Sequence, residues 1–222
     1  MTEEQLKNIA QQLRKPEGEW GVTIGEKMNI GNKFINLYTI DALDIKTNDH
    51  ILEIGMGNGF FVKDIFDVNH NIKYKGCDYS DEMVTRSKKL NERWVKNGKA
   101  DFLLSNADKL PFKDSEFDTV FTINTIYFWD NPERILNEIR RVLKPDGKIV
   151  ISLRPKSSME AYPFVKYGFD MFNRSDVSKL LLEHGFTTVK HIEKEEPEQE
   201  VNGVFMKVET LIVSAQKKNQ NL

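Results

Sequence analysis

The sequence predicts an α/β fold, a doubly wound and mostly parallel sheet with an antiparallel C-terminal edge strand. Apolar runs of strand length alternate with helical patterns between residues 50 and 153, an order typical of a parallel sheet covered on both faces. The last two apolar runs, 186–193 and 209–216, have no helix between them, so we expect them to pair antiparallel. With 222 residues and no Pro/Gly/Ser-rich linker, the chain is predicted to be a single domain, 1–222.

Composition narrows the function classes. The chain carries 32 basic and 34 acidic residues, so no charge excess indicates a nucleic-acid partner. Cys77 is the single cysteine, which excludes an internal disulfide and favours a cytoplasmic location. We find no run of about 18 apolar residues, so we expect no membrane span. The four histidines are scattered, so we expect no metal site. The sequence leaves the oligomeric state open.

The elements follow in order along the core. Ser80 is a candidate N-cap and Gly98 a candidate C-terminal stop of a helix predicted at 80–98, and Pro132 suits the first turn of a helix predicted at 131–144. Residues 144–147 are predicted as a turn and 190–200 as a solvated turn. We predict strands at 50–54, 71–78, 101–106, 117–123 and 148–153, and helices at 59–68, 80–98, 131–144 and 175–184.

The N-terminal third is harder to interpret. Residues 3–14 and 33–45 have helical spacing. Between them lies the glycine-rich stretch LRKPEGEWGVTIGEKMNIGN, 13–32. We interpret residues 1–32 as a cap or lid, which either folds over a ligand site or only covers the sheet.

The stretch ILEIGMGNGF, 51–60, places three glycines directly after the first strand. Ligands of doubly wound sheets bind outside the carboxyl ends of the strands, and glycine lets a ligand approach the backbone closely. A tight strand–helix turn without a ligand is the alternative. The dinucleotide pattern G-x-G-x-x-G is matched imperfectly, because Phe60 occupies the place of the last glycine.

Carboxylates follow the next two strands. Asp78 ends the second strand, where a carboxylate can accept hydrogen bonds from both hydroxyls of a ribose. Asp108 follows the third strand and could accept from an adenine amino group. Helix-dipole compensation at Asp78 and a local turn at Asp108 are the alternatives. With the glycine loop, the two carboxylates favour an adenosine ligand.

Four segments in order, EIGMGNG, GCDYS, NADKLPFKDSEFDTVF and RRVLKPDGKIVIS, resemble the motifs of class I S-adenosylmethionine-dependent methyltransferases. The resemblance is to the small-molecule branch related to the ubiquinone/menaquinone-biosynthesis methyltransferases. It implies the Rossmann-like class I methyltransferase fold, S-adenosylmethionine as cofactor and S-adenosylhomocysteine as product. It also implies a cofactor-binding core at 33–153, with an acceptor-side insertion and antiparallel sheet edge at 154–222.

The resemblance implies a role for each matching residue. Asp118, at the opposite end of its strand, is expected to be structural. The cofactor-binding residues are then Glu53, Gly55 and Gly57 around the methionine part, Asp78 at the ribose hydroxyls, Tyr79 beside the adenine, Ala107 and Asp108 at the adenine edge, and Asn124 near the methionine amino group.

The methyl acceptor is expected on the same rim, in the segments after the fourth and fifth strands. Candidate acceptor-pocket residues are Tyr127, Trp129, Arg154 and Tyr162, with ordinary aromatic packing as the alternative. We expect in-line methyl transfer to an unidentified small molecule, with no catalytic residue identified, because alignment alone can supply much of the rate. The alternatives are an NAD-dependent oxidoreductase and a noncatalytic S-adenosylmethionine-binding module.

Overall fold

The computed structural model describes residues 1–201 and 204–218. The predicted fold class is confirmed across these residues. The strands are β1 His50–Ile54, β2 Lys73–Asp78, β3 Ala100–Leu104, β4 Phe117–Ile123, β5 Leu143–Leu153, β6 Phe186–Glu195, β7 Gln199–Val201, β8 Val204–Met206 and β9 Glu209–Lys217. The helices are α1 Glu3–Arg14, α2 Gly18–Gly31, α3 Lys33–Ala42, α4 Val62–Val68, α5 Asp81–Leu90, α6 Glu92–Lys96, α7 Pro132–Val142, α8 Lys156–Met159 and α9 Arg174–Glu183.

The main sheet has the order β3-β2-β1-β4-β5-β9-β6. The pairs from β3 through β5 are parallel, and β9 runs antiparallel between β5 and β6. The chain winds outward from β1 to β3 and then returns to place β4 on the other side of β1. This reversal leaves a crevice at the carboxyl ends of β1 and β4, where ligands of such sheets bind.

The core lies on both faces of the sheet because β1 alternates its side chains between them. Leu52 and Ile54 pack on the face that α7 covers, while Ile51 packs on the face of α3 and α4. On the second face, Phe66 stacks on Trp94 with ring centroids 4.0 Å apart. A continuous apolar run therefore serves both layers, as expected for a buried parallel strand.

Three predicted boundaries change for local reasons. The helix predicted at 80–98 breaks at Asn91, whose amide donates to the carbonyls of Gly59 (2.9 Å) and Ser87 (3.0 Å). The turn predicted at 144–147 is a bulge within β5, where pairing shifts between Phe117 and Thr119 of β4. The turn predicted at 190–200 was wrong for residues 190–195, which belong to β6 because they pair with β9.

The glycine-rich N-terminal segment is a helix, α2, that lies against the carboxyl end of the sheet. Gly25 of α2 is close enough to Met83 of α5 that an added Cβ would lie 3.5 Å from the Met83 sulfur. Before α2, the carbonyls of Arg14 and Pro16 accept hydrogen bonds from Tyr79 and Ser80. The segment is therefore fixed beside the end of β2.

The opposite end of the sheet holds Asp118, whose carboxylate accepts from the His50 N–H at 2.9 Å and from Lys144 at 2.7 Å. These contacts tie β1, β4 and β5 together, as expected of a structural residue. In the described part of the chain, no helix is long and apolar enough to cross a membrane.

Candidate functional site

A cavity of about 290 Å³ opens at the carboxyl ends of β1, β2 and β4, under α2. Its walls come from the β1–α4 loop, the end of β2, the loops after β3 and β4, and the helix α2. All of the predicted cofactor residues line this cavity: Glu53, Gly55, Gly57, Asp78, Tyr79, Ala107, Asp108 and Asn124. The structure thus brings together at one site residues that are spread over more than 70 positions of sequence.

Two glycines of the loop after β1, Gly57 and Gly59, have different surroundings. Gly59 has a φ of +68°, and a Cβ there would lie 2.8 Å from the Asn91 side chain. Gly57 has a φ of +56°, but a Cβ there would meet no atom within 4 Å. Glycine at position 59 is therefore required by helix packing, whereas position 57 is open on the side of the cavity.

This difference predicts that two matched substitutions affect different properties, stability at position 59 and ligand binding at position 57. Gly59→Ala is expected to lower stability by about 2–3 kcal/mol, since it combines backbone strain with overpacking. Gly57→Ala is expected to cost only about 1 kcal/mol of strain while weakening S-adenosylhomocysteine binding at least about tenfold, because its methyl group would project into open ligand space. Thermal melts and calorimetric titration measure the two effects. Unchanged affinity in a folded Gly57→Ala protein would contradict the close approach of a ligand.

Asp78 holds the glycine loop in place by hydrogen bonding. It is buried, and its carboxylate accepts from the Gly57 N–H at 3.0 Å and from the Ser80 N–H at 2.9 Å. Burial raises the pKa of this carboxyl, and the backbone hydrogen bonds oppose that rise. Each carboxylate oxygen has a second lone pair, so both can still accept a hydrogen bond from a hydroxyl in the cavity.

Glu53 is the second buried carboxyl at the cavity. Its Oε2 accepts a hydrogen bond from the Tyr74 hydroxyl at 2.5 Å. Burial raises the pKa of Glu53 to about 7, although the Tyr74 hydrogen bond acts in the other direction. No ion pair joins Glu53 to any residue that the structure describes. A cation entering the cavity would stabilise its ionised form.

Asn124 closes the far wall in a left-handed backbone conformation, with a φ of +56°. Its amide nitrogen donates to the Asn32 Oδ1 at 3.3 Å, and its Oδ1 accepts from the Tyr127 hydroxyl at 3.1 Å. Asn32 joins α2 to α3, so this contact links the sheet to the N-terminal helices. Across the mouth, Arg14 donates twice to Asp130, at 2.7 Å each.

Only one of the four predicted acceptor-pocket residues faces the cavity. Trp129 lines it and donates to the Thr125 hydroxyl at 3.2 Å. Tyr127, Arg154 and Tyr162 lie outside the lining, because each is held in the protein interior. Tyr127 bonds the backbone of Arg154, Arg154 pairs with a buried glutamate, and Tyr162 packs against Phe164 with ring centroids 5.4 Å apart.

Another wall of the cavity comes from the N-terminal helices, which sequence reasoning did not assign residue by residue. Met28, Asn29, Asn32 and Asn36 line the cavity from this side. The glycine-rich composition of 13–32 indicated the segment, but nothing in it distinguished these side chains. Their position depends on how α2 docks against α5.

Cys77 precedes Asp78 at the end of β2. Cys77 is buried in the apolar core, and burial raises the pKa of its thiol far above the usual value. It is therefore a packing residue rather than a nucleophile. Within residues 1–201 and 204–218, no three His, Cys, Asp or Glu side chains are grouped as metal ligands.

Comparison with known proteins identifies similarity to methyltransferases. Residues 52–151 match the family described as a methyltransferase domain. The uncharacterized methyltransferase YdaC of Bacillus subtilis is 29% identical over 134 residues, covering 60% of this chain and 72% of that protein. Sterol 4-C-methyltransferase strm-1 of Caenorhabditis elegans is 27% identical over 172 residues, covering 76% of this chain but only 45% of that protein.

A solved S-adenosylmethionine-dependent methyltransferase of Methanosarcina mazei has the same fold. It superposes with a TM-score of 0.63 at 21% identity, covering 82% of this chain and 98% of that one. The matched residues 52–151 contain the glycine loop, Asp78, Asp108 and Asn124, and the relation to the quinone-biosynthesis branch stays a prediction. Fold, motif order and cavity agree with these matches: residues 52–151 carry a methyltransferase domain, and the chain has the fold of S-adenosylmethionine-dependent methyltransferases.

Proposed function

We propose that this protein binds S-adenosylmethionine in the cavity under α2 and transfers its methyl group to a small-molecule acceptor that carries no net negative charge. The observation that carries the proposal is the convergence of the glycine loop, Asp78, Asp108 and Asn124 on one cavity. The cofactor supplies a methyl group on a sulfonium leaving group, and the protein supplies alignment and electrostatics.

The proposed roles follow the geometry of the lining. Asp78 accepts from the ribose hydroxyls, while its bonds to Gly57 and Ser80 hold it in place. Glu53 faces the cationic methionine end, and Asn124 lies beside the same end. Tyr79, Ala107 and Asp108 lie on the adenine side. The glycine at position 57 leaves room for the ligand against the backbone.

The acceptor class follows from the charges around the cavity. Among the described residues, the lining contains no lysine and no histidine, and its one arginine, Arg14, is tied to Asp130. Carboxylates dominate the ionisable groups there, including Glu53, Asp78 and Asp108. An anionic acceptor would lose its hydration without gaining a cationic side chain of the protein, and the acidic groups of the lining would repel it.

The remaining acceptor-side groups are neutral. Asn29, Asn32 and Asn36 offer amides, and Met28 and Phe128 offer apolar surface. This combination suits a partly apolar molecule with a neutral polar group at the reacting end. The sterol named for the relative strm-1 is an acceptor of that uncharged kind. Alignment of the attacking atom with the methyl group can then provide much of the rate enhancement.

Calorimetric titration with S-adenosylmethionine, S-adenosylhomocysteine and NAD(H) tests the cofactor site first. We expect saturable binding of the first two and none of NAD(H); binding of NAD(H) alone would favour the oxidoreductase. A transfer assay with radiolabelled methyl groups then compares matched alcohols, amines and carboxylates on one aromatic scaffold. Faster labelling of the carboxylate would overturn the proposed acceptor class. Cofactor binding without transfer to any class would favour a noncatalytic module.

A further inference from the structure

We propose that Arg154 is a positioning residue for methyl transfer, which fixes the C-terminal end of α2 over the cavity and thereby sets the acceptor-side wall. The inference rests on the proposed function of that cavity. It differs from direct binding of the acceptor by Arg154, because the guanidinium lies outside the lining. Its contacts instead run from the end of the sheet to the N-terminal helices.

The Arg154 guanidinium joins two distant segments. It donates from Nη2 to the Gly31 carbonyl at 2.6 Å and to the Glu196 Oε2 at 3.0 Å. The side chain of Arg154 is 9% exposed and that of Glu196 is 0% exposed. Gly31 is the last residue of α2. One buried cation therefore holds the end of the helix against the region that follows β6.

Glu196 is itself firmly anchored. Its Oε1 accepts from the Thr210 hydroxyl at 2.8 Å, and its backbone N–H donates to the Val208 carbonyl at 2.8 Å. A buried ion pair generally contributes little net stability compared with apolar side chains of similar size. The fixed fork of arginine does reach two acceptors at once, which lysine does less well. The arrangement is better explained by positional control of α2 than by stability.

The side chain of Arg154 is connected through Gly31 to the side-chain amide of Asn32, and its backbone is connected through Tyr127 to the side-chain amide of Asn124. Through Gly31, its side chain fixes Asn32, whose Oδ1 accepts from Asn124. Its backbone N–H donates to the Tyr127 hydroxyl at 2.6 Å, and that hydroxyl lies 3.1 Å from the Asn124 Oδ1. The relative position of Asn32 and Asn124, on opposite walls of the cavity, therefore depends on Arg154.

The test compares amide hydrogen exchange in the ligand-free protein among three variants. Arg154→Met leaves Glu196 buried without its cation and risks unfolding, so the decisive variant is Arg154→Met/Glu196→Met, which removes both charges. We expect it to stay folded while the amides of residues 18–36 exchange at least about tenfold faster and those of β1 and β4 do not change. Arg154→Lys, which keeps the charge but not the fixed fork, is expected to retain part of the protection.

A kinetic comparison separates positioning from a purely structural role. With an acceptor from the transfer assay, the KM for that acceptor is expected to rise at least about tenfold in the double variant, with the Kd of S-adenosylhomocysteine within about threefold of the unmodified protein. Unchanged exchange of residues 18–36 in the folded double variant would overturn the inference. Hydrogen exchange is measured without ligand and therefore tests the positioning role independently. Failure of the unmodified protein to bind S-adenosylhomocysteine would contradict the proposed function but not the role of Arg154 in positioning α2.

Discussion

Replacing Asp78 with alanine is expected to weaken S-adenosylhomocysteine binding about 30- to 100-fold, the equivalent of about 2–3 kcal/mol, because hydrogen bonds to a charged acceptor are among the stronger ones. The carboxylate is proposed to accept from the ribose, and it also holds the Gly57 N–H at 3.0 Å. Its removal therefore loses a ligand contact and loosens the loop that lies against the ligand. Calorimetric titration of the folded variant measures the loss.

Asp118→Ala is the matched control. Asp118 also accepts a backbone N–H, from His50 of β1, but at the opposite end of the sheet. Its loss is expected to lower the melting temperature while leaving the Kd of S-adenosylhomocysteine within about twofold, because independent distant sites do not couple. Equal loss of affinity in the two variants would show that Asp78 acts through general stability and not through a ribose contact.

The core of the fold could be predicted from the sequence because its signals are local. β1 and β4 were expected at 50–54 and 117–123, and the structure has the same bounds. Such runs are short, apolar and bounded by turn residues, so their type is decided by the residues themselves. The position of the glycine loop, Asp78 and Asp108 at one rim follows from the same signals, since parallel strands bring their carboxyl ends to one edge of the sheet. The predicted roles of Glu53, Tyr79, Ala107 and Asn124 came from the family resemblance.

The cavity wall formed by the N-terminal helices could not be predicted, because it depends on tertiary docking. Tyr127 and Tyr162 are aromatic residues of the kind that often line ligand pockets, but both are buried in the protein core. The helix α2 contains glycines that lower intrinsic helix propensity, yet Gly21 and Gly25 are buried against neighbouring segments. Arg154 follows β5 but lies outside the cavity lining, because it pairs with Glu196, 42 residues away in sequence. No local pattern encodes such a pairing.

The second large effect concerns pH and Glu53. Burial raises the pKa of Glu53 to about 7 in the ligand-free protein. The proposed methionine ammonium beside it would favour the ionised form and lower that pKa on binding. Below about pH 7 the free carboxyl is protonated, so binding must release a proton and affinity falls; above it the carboxyl is already ionised and affinity levels off.

We therefore expect the affinity for S-adenosylhomocysteine to rise about 10- to 30-fold between about pH 5.5 and pH 8, with close to one proton released per ligand at the acid end. Titrations in buffers of different ionisation enthalpy measure both quantities. Glu53→Gln keeps the shape and an acceptor for Tyr74 but cannot titrate, so its profile reports any titration of the ligand itself. A Glu53→Gln protein that retained the full rise would place the titrating group elsewhere. A flat profile in the unmodified protein would mean that no cation approaches Glu53, and the methionine end would then have to be assigned to another part of the cavity.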